Sequence, residues 1–128
     1  MNGYHTNIEV DTLENANFRK VIFTGNHMQL VLMSLKPGED IGLEVHQDVD
    51  QFFRFEKGEG KVFIDGEEYT VKRDDAVVVP AGSEHNIINT STNEELKLYT
   101  IYSPPNHPEG TIHQTKEESE KAELQEHK

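Results

Sequence analysis

Residues 80–89 read Pro80-Ala81-Gly82-Ser83-Glu84-His85-Asn86-Ile87-Ile88-Asn89. A proline and a glycine make a tight turn, and the residues after it read as a strand. Side chains on a strand alternate between its two faces, so His85 and Ile87 point the same way. The histidine is therefore aimed where an apolar residue is aimed. A lone histidine in that position is most simply a core residue satisfied by a neighbouring carbonyl.

His85 has company. In Gly42-Leu43-Glu44-Val45-His46, an extended chain puts Glu44 and His46 on one face and Val45 on the other. Five residues on, Gln51 opens the run Gln51-Phe52-Phe53-Arg54-Phe55-Glu56. Placing Arg54 and Glu56 in solvent predicts that Gln51, Phe53 and Phe55 face inward. An apolar interior is then asked to hold a carboxylate, two imidazoles and an amide, which is costly if they stay unpaired. One divalent metal ion satisfies all four, because imidazoles and a carboxylate suit Fe, Mn, Ni or Zn and an amide oxygen is a tolerable weak ligand. A closed hydrogen-bond network among the same groups is the other solution.

Outward from these segments, short apolar runs alternate with turn signals from about Lys20 to Tyr102. The punctuation includes Pro37-Gly38, Asp65-Gly66 and Ser91-Thr92-Asn93. Many short strands at this spacing predict an all-β sandwich or barrel. Asp65-Gly66 is a two-residue hairpin signal, since both central positions need positive φ. Pro104-Pro105 ends the last strand, because proline cannot donate to a ladder. The expected organisation is an irregular segment over 1–17, a barrel over 18–103, and an extension over 104–128 carrying a short surface helix. Thr115 and Glu118 make its capping box, and Glu117 and Lys121 its ion pair.

The run Met28 to Leu35 is apolar on both faces. Its outer face needs a cover, which can be the second sheet, a terminus or another subunit. A homodimer is the expectation.

The spacing Gly38-x5-Glu44-x-His46-x4-Gln51-x6-Gly58 resembles the first motif of the cupin superfamily. Asp74-x5-Pro80-x-Gly82-x2-His85-x3-Asn89 resembles the second. The resemblance covers Gly38 to Asn89, and the short stretch between motifs is similar to that of small single-domain cupins, including chains labelled mannose-6-phosphate isomerase-like. It implies a double-stranded β-helix, the cupin jelly-roll barrel, with one divalent metal held by Glu44, His46, Gln51 and His85. The chain departs from the pattern at Glu44, where the family usually has histidine, at Gln51, where it usually has glutamate, and at Asp74, where it usually has glycine. The swap leaves two histidines and one carboxylate, a composition associated with non-haem Fe(II) sites that keep positions open for O₂ or substrate. Phe53, Phe55, Phe63 and Tyr99 are candidates for the pocket wall, with plain core packing as the alternative.

The bulk properties narrow the function classes. The chain has 128 residues, which suits one domain, and no cysteine, which removes disulfides and thiolate chemistry. The net charge of −12 disfavours nucleic acid and anionic membranes as partners. No apolar run is long enough to span a bilayer, and the first residues lack the pattern of a secretory signal, so the expected location is the cytoplasm. His5 and His27 read as exposed and His127 as lying at the ragged end. His107 and His113 flank Pro108-Glu109-Gly110, a segment that reads as a surface loop or as a flap placing His107 or Glu109 over the barrel mouth as an acid or base. The leading function is a metal-dependent enzyme of dioxygenase or isomerase type acting on a small polar or anionic molecule. The alternatives are a non-catalytic barrel that binds a sugar or organic acid, and a structural barrel with a vestigial site.

Overall fold

A computed structural model describes residues 2–126; His127 lies outside the described residues. Its elements run α1 (Ile8–Glu14), β1 (Arg19–Thr24), β2 (Gln29–Leu35), β3 (Glu44–Val45), β4 (Asp50–Lys57), β5 (Glu59–Ile64), β6 (Glu67–Lys72), β7 (Ala76–Val79), β8 (Glu84–Asn89), β9 (Leu96–Ser103), β10 (Ile112–His113) and α2 (Lys116–Glu126). The strands form two antiparallel sheets, ordered β10-β1-β2-β9-β4-β7 and β3-β8-β5-β6. This is an all-β arrangement, as the strand spacing predicts, and the double-stranded β-helix that the resemblance implies, with a short C-terminal helix.

The core lies between the sheets. Val31, Met33, Phe53, Phe55, Val62, Ile87 and Leu98 are buried in it, each from the inward face of its strand. Gln51 and Phe53 alternate with Phe52 and Arg54 as the two-residue period requires. The alternation in burial fails at Glu56, which is buried rather than exposed. Glu56 lies at the bulge between Phe55 and Lys57 in the β4–β9 ladder and pairs with Arg54 at 3.2 Å, so it is buried on the outer side of the sheet rather than turned into the core.

The turn chemistry follows the sequence closely. Asp65 and Gly66 both take positive φ, 48° and 85°, and join β5 to β6. Asp74 stands where the motif usually has glycine and still takes φ 74°, a conformation that aspartate tolerates better than most residues. Gly58 has less freedom. It sits at φ 93°, and an added Cβ would lie 2.6 Å from the Glu95 carbonyl oxygen. Asn89 is buried and ties three segments together: its amide nitrogen lies within 3.1 Å of the Leu35, Lys36 and Glu94 carbonyls, and its oxygen accepts from Ser91 N–H.

The N-terminal segment is not irregular throughout. Asn7 caps α1 by accepting from Val10 N–H, and Thr12 and Asn15 are buried. Lys97 from β9 donates to the Asn15 carbonyl at 2.5 Å. Residues of this segment and Leu32 line one outer cleft, so a terminus provides part of the cover that the doubly apolar β2 requires. A single capped turn with few apolar positions gives little periodic signal, which is why the sequence reads as irregular there. The C-terminal extension likewise holds more than a helix, because β10 pairs with β1. Thr115 accepts from Glu118 N–H at 3.1 Å as the capping box predicts, whereas the Glu118 carboxylate reaches back to Gln114 N–H. Glu117 and Lys121 pair at 3.1 Å.

Asn89→Ala should therefore lower stability by about 2–3 kcal/mol, because buried carbonyls lose their donor. Gly58→Ala should cost at least about 2 kcal/mol, through strain at positive φ and collision with backbone. Denaturant unfolding of both variants checks this, with Asp74→Gly as a control expected to stay within about 1 kcal/mol of wild type.

Candidate metal centre

β3 and β8 lie side by side with Glu44 opposite His85. His46 follows directly after β3, and its carbonyl accepts from Gly82 N–H at 2.9 Å. Gly82 takes φ 87° at the third position of the turn Pro80–Ser83, which closes through Ser83 N–H to the Pro80 carbonyl at 3.1 Å. The turn that launches the His85 strand thus also fixes the backbone of His46. Potential ligand atoms of Glu44, His46 and His85 all lie within 4.8 Å of one another. His46 Nε2 is 2.9 Å from Glu44 Oε2, and the rings of His46 and His85 are 5.4 Å apart.

His85 is fully buried, and its Nδ1 is 3.1 Å from the Ser83 carbonyl. A carbonyl only accepts, so Nδ1 carries the hydrogen and Nε2 presents a lone pair. That Nε2 is buried and has no hydrogen-bond partner. Burial pushes the His85 pKa below the ordinary 6.5, which keeps the ring neutral and able to ligate.

Gln51 arrives from the other sheet. Its amide nitrogen donates to Thr100 Oγ1 at 3.0 Å, while its Oε1 is buried without a partner. Gln51 also pairs in register with Tyr102, whose ring stands edge-on to that of His46 at 5.9 Å. The donor set fits a divalent cation: an imidazole lone pair and an amide oxygen are left unsatisfied beside a carboxylate–imidazole pair.

Of the opposite wall, His107 was one of two readings of the sequence and Tyr102 was not foreseen. Tyr102 is buried, and burial pushes its hydroxyl up to about 12. His107 Nε2 lies 3.2 Å from that hydroxyl, with the two rings edge-on at 5.1 Å. Burial, and then the neighbouring positive charges of Arg19, His46 and His113, drive the His107 pKa down to about 3. Gln29 holds this segment in place. Its Oε1 accepts from Asn106 N–H and His107 N–H, and its Nε2 donates to the His107 carbonyl at 2.8 Å. The segment after β9 is therefore a flap at the site as regards His107, while Glu109 is exposed beside a cleft along β1. Gln29, a polar residue at the start of the mostly apolar run Met28 to Leu35, was the available signal.

The expected pocket residues divide. Phe53 meets His85 with ring centroids 6.2 Å apart, and Phe55 is buried in the core. Tyr99 does not face inward. It is opposite Arg54 in the β4–β9 ladder and meets Phe52, 6.3 Å away, on the outer face. Leu98, Thr100 and Tyr102 share the inward face of β9, so the face was misjudged by one residue. His5 and His27 are exposed, as expected.

Comparison with known proteins agrees with this geometry. Residues 31–102, more than half the chain, match the family model described as Cupin domain. The chain is 51% identical over 123 residues to the Bacillus subtilis protein YrkC, covering 91% of this chain and 66% of YrkC. It is 48% identical over 113 residues to protein L612 of Acanthamoeba polyphaga mimivirus, covering 85% of this chain and 70% of that one. A more distant match, 31% identical over 78 residues, is to a quercetin 2,3-dioxygenase of Bacillus subtilis, with 61% of this chain and 23% of that enzyme covered. The crystal structure of BH2720 from Bacillus halodurans superposes with a TM-score of 0.91 at 44% identity, covering 94% of this chain and 95% of that one. The chain spans about two-thirds of YrkC, and on the family match, the fold and the motif positions together it belongs to the cupin family.

Proposed function

We propose that this cupin is a metal-dependent enzyme of dioxygenase type that acts on a small polar or anionic molecule. One divalent ion (Fe, Mn, Ni or Zn) would be held by Glu44, His46 and His85, with Gln51 as a weak fourth ligand. The observation that carries the reading is the pair of buried atoms without partners, His85 Nε2 and Gln51 Oε1. A barrel that had settled into a closed hydrogen-bond network would have satisfied them. When bound, the ion supplies a positive centre that takes an anionic oxygen or polarises a carbonyl. The protein residues do the rest. The Ser83 carbonyl fixes the His85 tautomer, Thr100 orients the Gln51 amide, and Phe53 excludes water from one side. Tyr102 and His107, hydrogen-bonded and both neutral at pH 7, are placed to pass a proton to or from a bound substrate. The likeness to a quercetin dioxygenase supports oxygen chemistry over isomerisation.

A second part of the reading concerns assembly. We infer a homodimer formed through the outer face of the six-stranded sheet. Phe23, Leu30, Ile101, Phe52 and Val78 stand in one register row across five strands, and Val78 is 61% exposed. Phe23, Leu30, Phe52 and Ile101 are half-buried, and a continuous apolar row of this kind on an outer face is a surface that a second copy covers.

Elemental analysis of anaerobically purified protein should find close to one Fe, Mn, Ni or Zn per chain, and the Glu44→Ala/His85→Ala double variant should have lost it. Metal-free protein in both samples, with no thermal shift on adding any of the four ions, would overturn the reading.

A second expectation concerns pH. His85 and His107 are held below their ordinary pKa of 6.5 in the folded chain, so unfolding takes up protons as pH falls through that value. Their contribution is fully present above pH 6.5 and drains away below it. In metal-free protein the thermal midpoint should fall between pH 6.5 and about 5, above the range where carboxylates titrate. His107→Gln should flatten that slope, and an unchanged slope contradicts the burial account of His107.

Finally, light scattering should give twice the chain mass for wild type and a single chain mass for Phe52→Asp/Val78→Asp. A monomeric wild type, or a double variant that stays dimeric, counts against this interface.

A further inference from the structure

Among the described residues, Arg19 is a buried charged group on an inward strand face that the metal set does not use. Arg19 is only 2% exposed, and it lies on the inward face of β1 with Val21, while Lys20 and Ile22 face the outer cleft. Its Nη1 donates to Ser119 Oγ, lies 3.5 Å from His113 Nδ1, and is 3.6 Å from Glu123 Oε1 on α2. The guanidinium charge is near enough to the Tyr102 hydroxyl and to His107 to lower the pKa of both. It therefore shares the interior with the wall that faces the metal ligands. Its Nε is buried with no hydrogen-bond partner.

The charges there do not balance. Among the described residues, Glu123 is the carboxylate paired with Arg19, and its side chain is 39% exposed, so water weakens the pair. A divalent ion beside the single carboxylate of Glu44 leaves a further positive charge. With such an ion bound, the interior would be positive inside a chain whose net charge is −12. A buried guanidinium with an unused Nε–H is a poor structural solution unless an anion completes it.

We propose that Arg19 receives a carboxylate of the substrate while a second oxygen of the same molecule faces the metal ligands. This rests on the metal reading above and narrows its substrate class to a small acid with an oxygen donor at its other end. The planar edge of a guanidinium matches a carboxylate. A single arginine suits one negative charge better than a phosphate dianion, and the other two arginines lie elsewhere: Arg54 pairs with Asp74 on the outer face, and Arg73 is exposed after β6.

The test is calorimetric titration of the protein with oxalate, malonate and succinate, and with malonamide as the neutral control. Wild type, Arg19→Gln and Ser119→Ala are each measured metal-loaded and after chelation, with metal content determined on the same samples. At least one diacid should bind wild type, with malonamide much weaker. Arg19→Gln should weaken that diacid by about tenfold or more, the loss of one charge-assisted contact, with and without metal. Ser119→Ala loosens the same helix contact but keeps the guanidinium, and should stay within about threefold of wild type. If Arg19→Gln does not fold, Arg19→Lys replaces it and should lose most of the same affinity, because the planar fork is gone.

Failure of every diacid to bind wild type overturns the proposal. So does unchanged affinity in the Arg19 variant, or an equal loss in Ser119→Ala, which would assign Arg19 to anchoring α2 alone. Chelation that changes no affinity, in samples holding no metal at the outset, overturns the metal reading and leaves the Arg19 comparison standing.

Discussion

Inside the barrel, the Nε2 lone pair of His85 meets no donor and the side-chain oxygen of Gln51 meets none either. Both atoms sit in a core otherwise built from Val, Ile, Leu and Phe. Leaving a buried acceptor unpaired costs free energy comparable to a lost hydrogen bond, and a domain has only about 5–15 kcal/mol of stability to set against such costs. The fold nevertheless places Glu44 and His46 next to the first of these atoms. A cation resolves all of this at once. On the proposed reading, that ion is the reason these polar groups are inside.

Much of the surrounding architecture serves to hold those groups still. Pairing of β3 with β8 sets Glu44 against His85, and Gly82 N–H fixes the carbonyl of His46. Asn89 locks the far end of β8 to the ends of β2 and the loop before β9. Gln29 clamps the chain after β9 so that His107 reaches Tyr102. Each is a local hydrogen-bond solution. Together they connect both sheets to one mouth, which lets a barrel with a modest core keep its ligands in register.

The all-β class, the inward faces of β4 and β8 and the cluster of Glu44, His46 and His85 were legible because each follows from the two-residue period and from turn residues with fixed backbone needs. Where the period breaks, reading by alternation fails. Glu56, at the bulge after Phe55, is buried beside Arg54 on the outer side, and a one-residue misjudgement on β9 exchanged Tyr99 for Tyr102. Arg19 illustrates a different limit. Its neighbours in sequence are unremarkable, and its burial arises from β10 and α2, which meet it from more than ninety residues away. His107 was ambiguous for the same reason, since only the contact of Gln29 with the flap decides which way it faces. Pairings between distant segments leave no periodic trace in either partner.

The account rests on two imidazoles and one carboxylate sharing one ion, and X-ray absorption at the edge of the bound metal reads that directly. It should show oxygen and nitrogen donors at about 2.0–2.2 Å with the outer-ring scattering of two imidazoles, reduced to one imidazole in His85→Ala. A bound metal with no imidazole scattering, or a spectrum unchanged by His85→Ala, would contradict it.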